Sequence, residues 1–203
     1  MLNTPTRLLL GTRNPGKIHE IELILRDIAL DLCSLNDFPQ VGIAEENADT
    51  YAENAISKAQ FYARETGLAA LADDSGLEVK ALGGAPGVLS ARYAGEHATD
   101  ADRRNLLLSE LSKTGTDNVR ARFVCAIAIA TADGEVLNLS EGICDGTITF
   151  APRGESGFGY DPLFIPDGYN QTFAELSDEI KNQISHRARA LLNLRDSLNQ
   201  RSP

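Results

Sequence analysis

Residues 11–18 read GTRNPGKI. Gly11, four residues, Gly16 and Lys17 match the phosphate-loop spacing GxxxxGK[ST] up to its last position, where Ile18 replaces the hydroxyl that ligates Mg²⁺. A strand, a tight turn and a helix start present backbone N–H groups and the positive helix end to an anion, and Lys17 adds a point charge. Pro15 takes one N–H donor away. The competing reading is a capped turn: Asn14 is a favourable cap and Pro15 a favourable first helical residue. A triphosphate held here needs its metal ligands elsewhere, as one or two carboxylates beside phosphate and water. Two acidic pairs qualify. Asp73-Asp74, in Asp73-Asp74-Ser75-Gly76, is expected where a strand ends in a turn, a favoured place for sites in α/β proteins. Adjacent residues on extended backbone face opposite sides, so one carboxylate can hold metal while the other acts as base or as a structural cap. Glu45-Glu46, in a polar loop, is the second pair. An Asx-type turn and a solvated surface are the competing readings for the two pairs.

Further along, Lys58 lies in a helical stretch, as a second phosphate contact or a solvated lysine. Gly83-Gly84-Ala85-Pro86-Gly87 is a turn, or a place where backbone approaches something closely. Gly157-Phe158-Gly159-Tyr160-Asp161-Pro162 sets two aromatics around a glycine, then an acid and a proline. That composition suits a loop that stacks a planar ring and hydrogen-bonds its edge, or a hydrophobic loop anchor with an Asp-Pro turn. Ser185-His186-Arg187 opens the last helix, with Ser185 as its cap. Cations at a helix start oppose the dipole unless they serve a ligand. Lys181 precedes them by one turn.

The elements that must position these groups follow from periodicity. Arg7 to Thr12 reads as a buried strand. The helix after Asn14 carries Ile18, Ile21, Leu25 and Ile28 on one face. Asp31 to Leu35 is a second strand. Thr50 to Thr66 is a helix with a Tyr51, Ala55, Ala59, Tyr62 stripe, stopped by Gly67. Leu68 to Ala72 is a strand, and Leu77 to Leu82 extends or pairs it. Gly83 to Gly95 is loop and Asp100 to Leu111 helix. Arg120 to Thr131 is a long strand, turned at Asp133-Gly134 into a partner over Glu135 to Cys144. Phe150 to Asp167 reads as loop. The final helix runs from Ser185 to Leu198, with Ala188, Leu191, Leu192 and Leu198 facing inward. This mixture of βα units and a hairpin predicts an α/β fold with a mixed sheet flanked by helices.

Composition bounds the partners. The 203 residues suit one domain, here 1–203. A net charge of −10 makes the chain a poor bulk binder of nucleic acid or of an anionic membrane. No apolar stretch reads as a signal peptide or membrane span. Three widely spaced cysteines without a CxxC pair suggest neither zinc nor a disulfide framework and fit a reduced, cytoplasmic setting. The three histidines do not cluster at metal-ligand spacing.

TRNPGK, AEEN followed by TYAENAISKA, LADDSGL, LGGAPGVLSARYAGE, GFGYDPLF and AELSDEIKNQISHRARAL occur in this order over roughly Leu8 to Leu198. In these motifs the chain resembles the inosine/xanthosine triphosphate pyrophosphatases, which clear aberrant purine nucleotides. The resemblance implies an elongated, two-lobed α/β fold with a highly twisted central mixed sheet and a deep active-site cleft. It implies a homodimer and Mg²⁺-dependent cleavage of the α–β phosphoanhydride, giving a nucleoside monophosphate and pyrophosphate. By similarity Thr12, Arg13, Asn14, Pro15, Gly16 and Lys17, with Lys58, hold the triphosphate. Asp74 is the proton acceptor and a metal ligand, Ser75 touches substrate, and Glu45 is the second metal-associated acid, with Glu46 beside it as the alternative. Phe158, Gly159, Tyr160, Asp161, Lys181, His186 and Arg187 form the base pocket. Arg13, Ala48 and Leu89 depart from the family pattern; Arg13 adds a phosphate contact or faces solvent.

The expected chemistry is in-line attack of water, with Asp74 taking its proton and Lys17 and Lys58 neutralising phosphate charge. Selectivity is expected at the purine 6-position, where a donor such as Arg187 or a backbone N–H donates to an oxo group and opposes an amino group. Two rivals are a P-loop kinase or NTPase, against which Ile18 argues, and a non-catalytic nucleotide-binding domain.

Overall fold

The computed structural model describes residues 7–28, 30–117 and 119–199. Six strands form one mixed sheet in the order β2-β1-β3-β4-β5-β6. They are β1 (Arg7–Leu10), β2 (Asp31–Ser34), β3 (Ala69–Val79), β4 (Arg120–Ala130), β5 (Val136–Ile148) and β6 (Phe164–Pro166). β1 runs parallel to both β2 and β3, and β6 runs antiparallel to β5. The helices are α1 (Pro15–Leu25), α2 (Tyr51–Thr66), α3 (Asp100–Thr114), α4 (Asp178–Ile184) and α5 (His186–Asn199).

The chain divides into two compact units, and β3, β4 and β5 contribute residues to both. The first unit comprises 1–74, 125–142 and 187–203. Its core joins Leu8, Leu10 and Leu71 to Ile21 and Leu25 of α1, Ile127 and Ile129 of β4, and Leu191 and Leu194 of α5. The second unit, 75–124 and 143–186, packs Leu107 and Leu111 of α3 with Phe123, Tyr160, Phe164 and Phe173. Phe123 meets Phe164 edge-on, with ring centroids 4.7 Å apart.

Local chemistry fixes most boundaries where expected. Thr50 caps α2 by accepting from Glu53 N, and Gly67 ends the helix in the left-handed conformation at φ 70°. Thr99 and Asp102 make a capping box on α3. The three cysteines are buried and free.

Three expectations need correction. The strand expected to stop before Asp73 continues as β3 through Asp73-Asp74-Ser75-Gly76 to Val79, because these polar groups find partners on neighbouring elements and need no turn. The stretch expected as loop over Phe150 to Asp167 contains β6, whose three residues pair with Gly146, Thr147 and Ile148 of β5. The segment before the last helix, for which no element was expected, is itself helical: Ser185 ends α4, donating its backbone N–H to the Lys181 carbonyl, and stands in extended backbone directly before α5, the place expected of its cap. Ala188 and Leu191 are buried and Leu192 partly so, as expected, while the side chain of Leu198 lies outside the described residues. Among the described residues no helix is long and apolar enough to cross a membrane.

Candidate active site

The turn after β1 is built from within. Gly11 donates its N–H to Leu71 O at 2.7 Å, and a Cβ at Gly11 would stand 2.8 Å from the Tyr62 ring and 3.0 Å from that carbonyl. The first glycine of the motif is therefore required by the packing of β1 against β3 and α2. Asn14 caps α1, its Oδ1 accepting from Gly16 N at 2.9 Å and Lys17 N at 3.2 Å, while Thr12 Oγ1 accepts from Asn14 N. Arg13 is exposed, as one of its two readings expected, and its guanidinium also donates to Val41 O at 2.8 Å and Phe38 O at 3.3 Å, tethering the segment before Glu45.

Lys17, Glu20, Ile21, Ile24 and Leu25 share the inward face of α1. Lys17 Nζ lies 3.0–3.1 Å from both oxygens of Asp73. Arg187 Nε and Nη2 each donate to Asp73 Oδ2 at 3.1 Å, and Nη1 donates to Glu20 Oε2. Burial by itself raises the Asp73 carboxyl, but Lys17, Arg187 and Lys58 together hold it far below the usual range. The Arg187 side chain is 2% exposed and spans two buried carboxylates. Its guanidinium thus lies in the interior of the first unit, between Asp73 and Glu20.

Asp74, the next residue of the same strand, turns the other way. Asn54 Nδ2 donates to Asp74 Oδ2 at 3.0 Å, and Asn54 also holds the Ala48 peptide through both its N–H and its carbonyl. Lys58 Nζ is bound to Glu46 Oε1. Burial pushes the Asp74 carboxyl up to about 6; the charge of Glu46 adds to the rise, and Lys58 and Asn54 oppose it. Burial works against the Lys58 charge, but Asp73, Glu46 and Asp74 outweigh it and raise its pKa. Of the glutamate pair, Glu46 thus belongs to this group. Glu45 is exposed, accepts from Asn47 Nδ2 at 2.9 Å, and lines an open recess of about 440 Å³ shared with Asn54, Ser57 and Phe61.

Asn54, Glu20 and the choice of Glu46 were not reached from motif spacing. A signal existed for two of them. Tyr51, Asn54, Ala55, Lys58, Ala59 and Tyr62 are all buried and fall on one helical stripe, so Asn54 and Lys58 are polar interruptions of an apolar face. Glu20 interrupts the α1 face in the same way.

In the second unit the 157–162 loop folds on Asp161. Asp161 Oδ2 accepts from Phe158 N at 3.0 Å and from Lys181 Nζ at 2.8 Å. Gly157, at φ 76°, is required there, since a Cβ would fall 2.2 Å from that oxygen. Lys181 also sits 5.2 Å from the Phe158 ring centroid, within cation–π range. His186 stacks on Phe123 at 4.6 Å with planes 10° apart. Tyr160 is buried in the core and donates its hydroxyl to Ser90 O at 3.0 Å. Of the two aromatics expected to stack on a planar ring, only Phe158 is partly exposed. Ser75 is partly exposed on β3.

The donor chemistry suits a hard divalent cation. Asp74 is a buried carboxylate with one neutral hydrogen-bond donor, and the charge of Glu46 acts on it. Among the described residues no cluster of three or more His, Cys, Asp or Glu forms a closed metal cage. Two carboxylates with room for phosphate oxygens and water are what Mg²⁺ takes, whereas a structural zinc site would need a full protein shell.

Comparison with known proteins agrees over nearly the whole chain. The Ham1 family model matches residues 8–197. A dITP/XTP pyrophosphatase of Desulforamulus reducens is 48% identical over 194 residues, 96% of each chain. One from Geobacter sulfurreducens is 49% identical over 95% of this chain and 96% of its own. Among solved structures, a HAM1 protein from Coxiella burnetii superposes with a TM-score of 0.87 at 41% identity, covering 96% of this chain and 98% of its own. The Staphylococcus aureus Ham1 protein gives 0.84 at 38% identity, over 97% of this chain and 100% of its own. By family model, sequence and fold together, this chain belongs to the Ham1 family.

Proposed function

We propose that this chain is an Mg²⁺-dependent hydrolase of noncanonical purine nucleoside triphosphates (dITP, ITP, XTP), releasing the monophosphate and pyrophosphate, and that it works as a cytoplasmic homodimer. The names of its relatives support the substrate class. The observation that carries the chemistry is Asp74: a buried carboxyl at about 6, flanked by Lys58, Glu46 and Asn54. A general base works best when its pKa lies near the operating pH, and Asp74 is poised there. In this reading Asp74 accepts the proton of the attacking water while Asn54 fixes its orientation. Lys58 and Lys17 meet the phosphate oxygens, and Asp73 holds Lys17 in place from behind. Asp74 and Glu46 would hold the Mg²⁺, which supplies positive charge to the phosphate oxygens as the leaving group departs.

The base is assigned to the second unit, to the Phe158 ring and the backbone of the 157–162 loop. With the guanidinium of Arg187 held by Glu20 and Asp73, a backbone N–H remains as the reader of the 6-oxo edge. A donor so aimed rejects a 6-amino purine by roughly 10⁴.

The deciding experiment is a panel of nucleoside triphosphates with Mg²⁺, scored for pyrophosphate. ITP, dITP and XTP should release pyrophosphate far faster than ATP. Orthophosphate release or phosphoryl transfer would instead assign a P-loop-type reaction, and binding without turnover a regulatory domain.

A further inference from the structure

Asp100 and Arg104 stand four residues apart at the start of α3, so their side chains leave the same face of the helix. Both reach the backbone of one residue of the 157–162 loop, on the two peptide units that flank its Cα. Asp100 Oδ2 accepts the Gly159 N–H at 2.7 Å, and Arg104 Nη1 donates to the Gly159 carbonyl at 2.7 Å. Asp100 is braced in turn: Arg103 Nη1 donates to its other oxygen, and Arg103 Nη2 to Ala98 O at 2.6 Å. The two backbone polar groups of one glycine are thus gripped by opposite charges from a helix more than fifty residues earlier in the chain.

Gly159 has φ 59°, in the left-handed region where glycine is most at ease and most easily reoriented. Its neighbours are fixed by the loop and its surroundings: Phe158 N–H by Asp161, and the Tyr160 hydroxyl by Ser90. The two peptide units flanking Gly159 make charge-assisted bonds, which are shorter and stronger than neutral ones. No motif in the sequence points to Asp100 or Arg104.

We propose that Asp100 and Arg104 are positioning residues for the purine. By fixing the peptide units on either side of Gly159 they set the plane of the Phe158 ring and the direction of the loop's base-facing backbone groups. The inference rests on the assignment of this loop to the base.

The test is Arg104→Met, which keeps the stem and removes the donor, with Arg104→Lys as the conservative variant. Amide exchange needs no nucleotide. In the free protein, exchange of the Phe158–Tyr160 segment should quicken about tenfold in Arg104→Met, the factor expected for loss of one charged hydrogen bond. The KM for ITP should rise about tenfold with kcat held within about twofold, the mark of lost ground-state and transition-state binding alike. Arg104→Lys should recover most of both. If Arg104→Met does not fold, Arg104→Gln takes its place with the same expectations. Unchanged exchange would overturn the clamp. Quickened exchange with an unchanged KM would overturn its role toward the base, as would a fall in kcat that tracks a fall in melting temperature. A wild-type protein that hydrolyses no purine triphosphate would instead overturn the assigned function, while the exchange result would still decide whether the clamp exists.

Discussion

Asp74→Asn should make the metal-free protein more stable while removing most of its activity. A carboxyl held at about 6 rather than its ordinary 3.8 is disfavoured as an anion in the folded state. At about 1.4 kcal/mol per tenfold, that difference sets a ceiling of about 3 kcal/mol on what ionised Asp74 costs at neutral pH. The amide has no charge to desolvate and retains an oxygen to accept from Asn54, so a gain of about 1–3 kcal/mol is expected. For a chain of this size that is roughly 3–9 °C in melting temperature. The sign follows from the raised pKa. Asp74 contributes stability when protonated, fully below about pH 4, and loses it as pH rises through about 6. The advantage of Asp74→Asn should therefore be full at pH 7.5, shrink through pH 6 and vanish near pH 4. The assay is thermal unfolding in chelator across that range, beside ITP turnover with Mg²⁺, which should fall by about 10²–10⁴ for loss of a general base. A variant no more stable at pH 7.5, or equally stabilised at pH 4, refutes the desolvated-anion account. Unchanged turnover removes Asp74 from the reaction.

Two other substitutions test the interior of the first unit. Arg187→Met removes the buried cation between Glu20 and Asp73, and should cost about 3–5 kcal/mol in urea unfolding; an unchanged midpoint with an altered ITP-to-ATP ratio would support the guanidinium as a base reader. Gly11→Ala places a methyl against the Tyr62 ring and the Leu71 carbonyl and should cost about 1–3 kcal/mol by the same measurement; a neutral result would mean that β1 can shift at no cost.

Much of this was legible before any coordinates. The cap at Asn14, the stop at Gly67 and the α2 stripe depend only on near neighbours, and each stands where the residue types put it. The ordered motifs pointed to the family that the comparisons then showed. Less was legible where a polar residue's fate depended on a distant partner. GTRNPGKI reads as a phosphate loop in one dimension, yet Gly11 serves packing, Asn14 takes up two helix-start N–H groups and Arg13 ties down the 38–41 segment.

The sequence alone placed Asp73 and Asp74 side by side at the end of an expected strand, where neighbours face opposite ways if the backbone stays extended, as β3 then does. Only the tertiary structure decided what each would meet. Asp73 meets Arg187, 114 residues on, which also reaches Glu20 across 167 residues, and the three close into a buried ion group. Asp74 meets Asn54, with Lys58 and Glu46 acting on it in opposite directions, and burial prevails. Spacing fixes the face a side chain is on. Packing of remote elements fixes the charge it finds there, and that charge separates the carboxylate locked in an ion group from the one proposed as the base.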